Sequence, residues 1–168
     1  MRVIAATVRD DLERETSPYA ILGFLTVEHP SLPVPLRLVS DVIDYVWGGV
    51  TWTGMPFDFA QLSDDETAAT AEIRVQNVDR RIGQALRALP DRATLRLDIL
   101  TSADFDLAVE PRAEIGTALA IYSFSHVELV DVTANPVEIS GSVFLRDPTQ
   151  EPWPGVSATQ SRLPGLYR

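Results

Sequence analysis

The chain contains no cysteine and no lysine, only two histidines, and no run of about 18 apolar residues of the kind that crosses a bilayer as a helix. Without cysteine there is no disulfide framework, thiolate zinc site or cysteine nucleophile, so stability has to come from packing and association. Without the long apolar run no spanning helix is expected. Arg2, Arg9, Asp10 and Asp11 near the start also argue against a signal peptide, which points to synthesis in a cytoplasm. His29 and His126 stand in strand-like surroundings with no second histidine or carboxylate at ligand spacing, so a packed or hydrogen-bonded histidine outranks a metal ligand. No GxSxG elbow, phosphate loop or dinucleotide fingerprint occurs, and no repeat of fixed period is evident.

What is present is enough for one core: 168 residues, 45% of them hydrophobic. The formal charge of −10, from 24 acids against 14 bases, repels phosphate backbones, so specific nucleic-acid binding is not expected. Every base is arginine. Codon usage is the plain explanation, although guanidinium groups also pair well with carboxylates at subunit contacts. Arg74, Arg80, Arg81, Arg87, Arg92 and Arg96 cluster beside only Asp79 and Asp91, whereas residues 98–151 are strongly acidic. Such patches of opposite sign are suited to meeting between copies.

Along the chain, Val3, Ile4, Val8 and Leu12 fall at helical spacing and Ser17-Pro18 ends the pattern, predicting an N-terminal helix within residues 1–16. Residues 20–28 read as an apolar strand, and residues 36–39 follow a proline-rich break. Segments 41–47 and 50–59 flank Gly48-Gly49, which predicts a hairpin with Trp47 and Trp52 as cross-strand neighbours. Ala71, Ile73 and Val75 alternate with polar residues as a half-buried strand does. Asp79 then caps a short helix predicted at 80–88, ended by Pro90. Alternation returns around Leu95, Leu97 and Ile99, with Arg96 and Asp98 on the wet side, and again in 118–132 and 137–145, with Asn135-Pro136 as the turn. These elements predict a mainly β domain over residues 1–146, a β-sandwich or partly closed barrel of about eight strands. Residues 147–168 carry Pro148, Pro152, Pro154, Gly155, Pro164 and Gly165, and read as an extended arm punctuated by Trp153, Leu163, Leu166 and Tyr167. That arm either lies on its own sheet or reaches a neighbouring subunit.

Candidate chemistry is thin. Asp64-Asp65-Glu66 and Asp104-Phe105-Asp106 offer oxygen ligands for calcium, but neither has the carboxylate spacing and glycine of a calcium loop, and a solvated loop ranks ahead. A glycosidase needs two carboxylates facing across a cleft, which any acidic β protein offers by chance. Trp47 and Trp52 would make a carbohydrate face if exposed side by side, but tryptophans in a hairpin more often build core or interface. No catalytic, cofactor-binding or metal-ligating residue is expected, and the chain is not read as an enzyme.

Several short blocks occur in a distinctive order: Leu25-Thr26-Val27-Glu28-His29-Pro30, Arg37-Leu38-Val39-Ser40-Asp41, Phe57-Asp58-Phe59 ahead of Asp64-Asp65, Ile73-Arg74-Val75-Gln76-Asn77-Val78-Asp79-Arg80, and Pro164-Gly165-Leu166. Together they resemble a family of phage tail proteins of unknown function found among tail-tip genes, with Ser40 standing where that pattern often has asparagine. The resemblance implies a distal-tail or minor-tail component of the virion, made and assembled in the bacterial host cytoplasm. It implies a homo-oligomeric ring, by analogy hexameric, joining the tail-tube proteins to the hub, with DNA passing through and no membrane insertion. On that expectation Arg80, Arg81, Arg87, Trp153, Leu166 and Tyr167 are the interface residues. Part of the acidic excess in 98–151 would face the channel, where carboxylates keep a polyanion sliding.

Overall fold

A computed structural model describes residues 6–59, 70–76, 84, 91–135, 138–145 and 161–162. Among them lie helix α1 (Ala6–Glu13) and strands β1 (Ile21–Glu28), β2 (Leu36–Val39), β3 (Tyr45–Trp47), β4 (Val50–Gly54) and β5 (Phe57–Phe59). They are followed by β6 (Thr70–Gln76), β7 (Ala93–Thr101), β8 (Arg112–Ala113), β9 (Tyr122–Ala134) and β10 (Glu138–Leu145). The protein is mainly β, as its alternation predicts, and its one sheet, not closed into a barrel, is consistent with the expected β-sandwich-like fold. Its ladder runs β5-β6-β10-β9-β7-β1-β2-β4-β3-β8. The helix predicted at 80–88 and the arm at 147–168 lie outside the described residues, apart from Gln84, Ser161 and Arg162.

The central strands are covered on both faces. In β1, Leu22 and Phe24 point one way and Leu25 and Val27 the other, and all four are buried. Successive strand side chains alternate, so an unbroken apolar run means two covered faces. Leu25, Val27 and Leu38 share one core with Ile73, Val75, Leu129, Ile139 and Val143. In a flat sheet β2 and β6 would stand five strand spacings apart, about 24 Å, so a shared core requires the sheet to curl. Two backbone bonds stitch the curl: Met55 N donates to the Val39 carbonyl and Gln76 N to that of Pro56.

Strand β9 supplies much of the bend. Its register slips against β7 between Leu95 and Leu97, and against β10 between Ser140 and Ser142. The core-facing set therefore changes parity twice, from Phe124 to Val127 and Leu129, then to Val132. Asp131, with φ of 53°, sits at the second slip. Bulges of this kind insert an unpaired residue and increase local twist.

Three expectations need correction. The predicted strand 118–132 starts only at Tyr122, because Ala118 is buried in the second core as part of the preceding loop. The predicted strand 50–59 is two: β4 pairs with β2 and β3, Met55-Pro56 crosses over, and β5 pairs with β6. Asp98 is not on a wet face but 2% exposed. The hairpin turn is as predicted, although its first arm is a strand only over Tyr45–Trp47 and not from 41, and Gly48 and Gly49 take φ of 60° and 72°, a pair of positive angles that glycine reaches cheaply.

Candidate functional site

On the convex side of β1 and β2 the short strands β3, β4 and β8 form an outer layer around a second core. Phe24 is its centre. The rings of Tyr45 and Trp52 meet it edge-on at 5.8 and 5.2 Å, Trp47 lies at 5.2 Å, and Phe105 stacks at 5.5 Å. Trp47 faces Val50 and Trp52 faces Tyr45, so the two indoles are diagonal neighbours with centroids 5.5 Å apart. Trp52 is 5% exposed, and its indole N–H donates to the Trp47 carbonyl at 3.4 Å. The Trp47 N–H donates to the Ala118 carbonyl at 3.1 Å. Trp52 is core and Trp47 is half-buried against it, so the two do not present the side-by-side exposed pair that a sugar-binding face requires.

A polar lock holds the layer's edge. Arg112 Nη1 donates to Asp41 Oδ2 at 2.7 Å and to the Tyr45 hydroxyl at 2.6 Å, and that hydroxyl donates to the same Asp41 oxygen at 2.7 Å. The other Asp41 oxygen accepts from Val42 N at 2.6 Å. Burial pushes the Tyr45 phenol pKa up and the Asp41 bond adds to it, while Arg112 opposes the rise. The Arg112 pKa also moves up, chiefly through its bond to Tyr45. Nearby carboxylates serve the backbone: Asp44 Oδ1 accepts from Gly54 N at 2.7 Å and Glu114 Oε1 from Gly48 N at 3.0 Å.

Beside the layer, buried Asp98 accepts from Ser123 Oγ at 2.5 Å and pairs with Arg96 Nε at 2.9 Å. The guanidinium and hydroxyl are what make a carboxylate tolerable at that depth. Of the two candidate acid clusters, 64–66 lies outside the described residues. In the other, Asp106 accepts from Ala108 N at 3.0 Å, as a turn residue does, and burial raises the Asp104 pKa while a backbone bond at Thr101 opposes this. Among the described residues no three His, Asp or Glu side chains gather closely enough to hold a metal ion. His29 Nδ1 lies 2.6 Å from Ser31 Oγ and accepts from Ser31 N at 3.0 Å.

The interface residues expected from the sequence, Arg80, Arg81, Arg87, Trp153, Leu166 and Tyr167, all lie outside the described residues. The structure offers instead a set that sequence reasoning missed. Val42 and Leu119 are 74% and 76% exposed, and Leu107, Val109 and Ile115 are also exposed, all on the loops of the outer layer. Single exposed apolar residues are ordinary, whereas five on the loops of one layer suit packing against another surface. Of the lock, Asp41 stood in a quoted block, but nothing in the spacing linked it to Arg112, 71 positions away.

No family model matches the chain, and no curated protein matches it in sequence.

Proposed function

We propose that this chain is a structural component of a phage tail tip, of the distal-tail type, acting by self-assembly into a ring and docking of tail-tube and hub proteins. The observation that carries the proposal is the outer layer, where exposed apolar side chains sit on loops tied down by buried aromatics and the Asp41–Tyr45–Arg112 lock. Rigid loops lose little entropy on association, which favours a contact surface. Among the described residues, several positions of the phage-tail-like pattern fall at joints of the fold, which accords with a scaffold role. Ser40 Oγ accepts from Gly23 N, Asp41 anchors Arg112, and Phe57 and Ile73 lie in the paired strands β5 and β6.

Light scattering and negative-stain microscopy of the full-length protein test the proposal. Rings with a central hole are expected, together with their loss on Val42→Asp or Leu119→Asp at unchanged thermal stability, since both positions are exposed. A species that remains monomeric at every concentration, with no rings in the micrographs, overturns it.

A further inference from the structure

The curled core opens at one rim, where β1 begins, β7 ends and β9 begins. An apolar groove of about 210 Å3 lies there, lined by Ile21, Gly23, Phe57, Leu97, Ile99 and Phe124, with Ser40 at its edge. Gly23 lets the Phe57 ring lie close against the strand at the floor, for a Cβ there would come within 3.2 Å of Phe57 Cζ and 3.5 Å of Leu97 Cδ1. Ser40 Oγ accepts from Gly23 N at 2.8 Å, which ties this hydroxyl to the β1 backbone. A small ligand is oriented by several convergent polar groups, and among the described lining residues Ser40 supplies the one polar side chain. An apolar strap of polypeptide is the better match.

The last described residue of the sheet lies close to this rim. Strand β10 runs antiparallel to β9 and ends with Leu145 opposite Val127. Leu145, where the described strand ends, thus stands about three residues of β9, or about 10 Å at the rise of an extended strand, from Phe124 at the rim. We propose that the groove is the docking site of the chain's own C-terminal segment, residues 146–168, with Trp153 as the anchoring side chain. A tether this short holds the segment at an effective concentration on the order of millimolar. At micromolar protein it outcompetes a second copy for the groove. Docking within one chain does not depend on ring assembly.

The test uses the full-length protein with a photoreactive benzophenone amino acid in place of Ile21, which is 58% exposed and so tolerates the exchange. After irradiation at micromolar concentration, digestion and mass spectrometry should find crosslinks into residues 146–168 within the monomer-mass fraction. Trp153→Ala should lower their yield about tenfold while leaving the melting profile of the sheet in place. Crosslinks that miss 146–168, or a yield indifferent to Trp153→Ala, overturn the proposal. Crosslinks into 146–168 found only at dimer mass overturn it too, and give the groove to the segment of a second copy.

Discussion

On the concave side of β1, β2 and β7 the core is aliphatic, with Leu25, Val27, Leu38, Leu95, Leu129 and Val143 contributed by long hydrogen-bonded strands. On the convex side it is aromatic, and Phe24, Tyr45, Trp52 and Phe105 come largely from loops and strands of two to five residues. The first core is fixed many times over, because each inward side chain is placed by a ladder with partners on both sides. The second hangs from a few ring contacts and one polar lock. The outer layer is therefore the part of the molecule a single substitution can unfasten, and it is also the part that carries the exposed apolar loops.

The largest expected effect is at Phe24. Phe24→Ala should destabilise by about 3–5 kcal/mol, and in hydrogen exchange β3, β4 and β8 should lose protection before β6 and β10. Val143→Ala, on the concave side, should cost about 2 kcal/mol and lower protection evenly along the sheet. If Phe24→Ala released β6 as readily as β3, the two cores would be one cooperative unit and the comparison would fail.

Two glycines sharpen the same contrast. A Cβ on Gly54 would come 2.6 Å from the Ile43 carbonyl carbon and oxygen, which are backbone and cannot rotate away. A Cβ on Gly141 would come 2.6 Å from Leu129 Cδ1, the tip of a side chain that can. Gly54→Ala should therefore cost about 3 kcal/mol and Gly141→Ala about 1 kcal/mol. Urea denaturation of the pair decides it, and the reverse ranking would contradict the view of the concave core as the more forgiving one.

Arg112→Met should cost about 2 kcal/mol, less than a fully buried ion pair loses when broken, because the partners keep 20% and 24% of their side-chain area exposed. Asp41→Asn in the same background should add little, since its main partner is already gone. Additive losses in that double-mutant cycle would show the two residues to be uncoupled.

The concave core was legible because it follows a rule that spacing expresses. Ile73 and Val75 alternate with Glu72 and Arg74, and Leu95 and Leu97 with Thr94 and Arg96, and each pair proved buried. Legibility failed wherever the rule was locally broken. The two bulges in β9 shift parity at Phe124 to Val127 and again at Leu129 to Val132, so a single alternating strand from 118 was the wrong reading. Asp98 looked wet because its residue type and parity said so, and only the approach of Ser123 and Arg96 in space makes its burial tolerable. The lock was illegible for a simpler reason: Asp41 and Tyr45 are close in sequence, but Arg112 reaches them from β8, whose two residues carry no periodicity at all.

The smallest and most specific effect concerns the lock's pH dependence. The folded-state pKa of Tyr45 is raised, by burial first and by the Asp41 bond second, above the value of about 10 for a free tyrosine. A native state that holds the phenol proton more tightly than the unfolded chain is stabilised by it below about pH 10 and loses that contribution as pH climbs through the folded pKa. Tyr45→Phe removes one hydrogen-bonded hydroxyl, at about 1 kcal/mol near neutrality, and with it this alkaline sensitivity. Stability measured by urea denaturation from neutral to strongly alkaline pH should thus fall more steeply for the parent than for Tyr45→Phe, and the two curves should converge. Parallel curves would mean that the phenol titrates as freely in the folded protein as in the unfolded one. The outer layer would then be held by its aromatic rings alone, and the convex core would be closer in kind to the concave one than its polar edge implies.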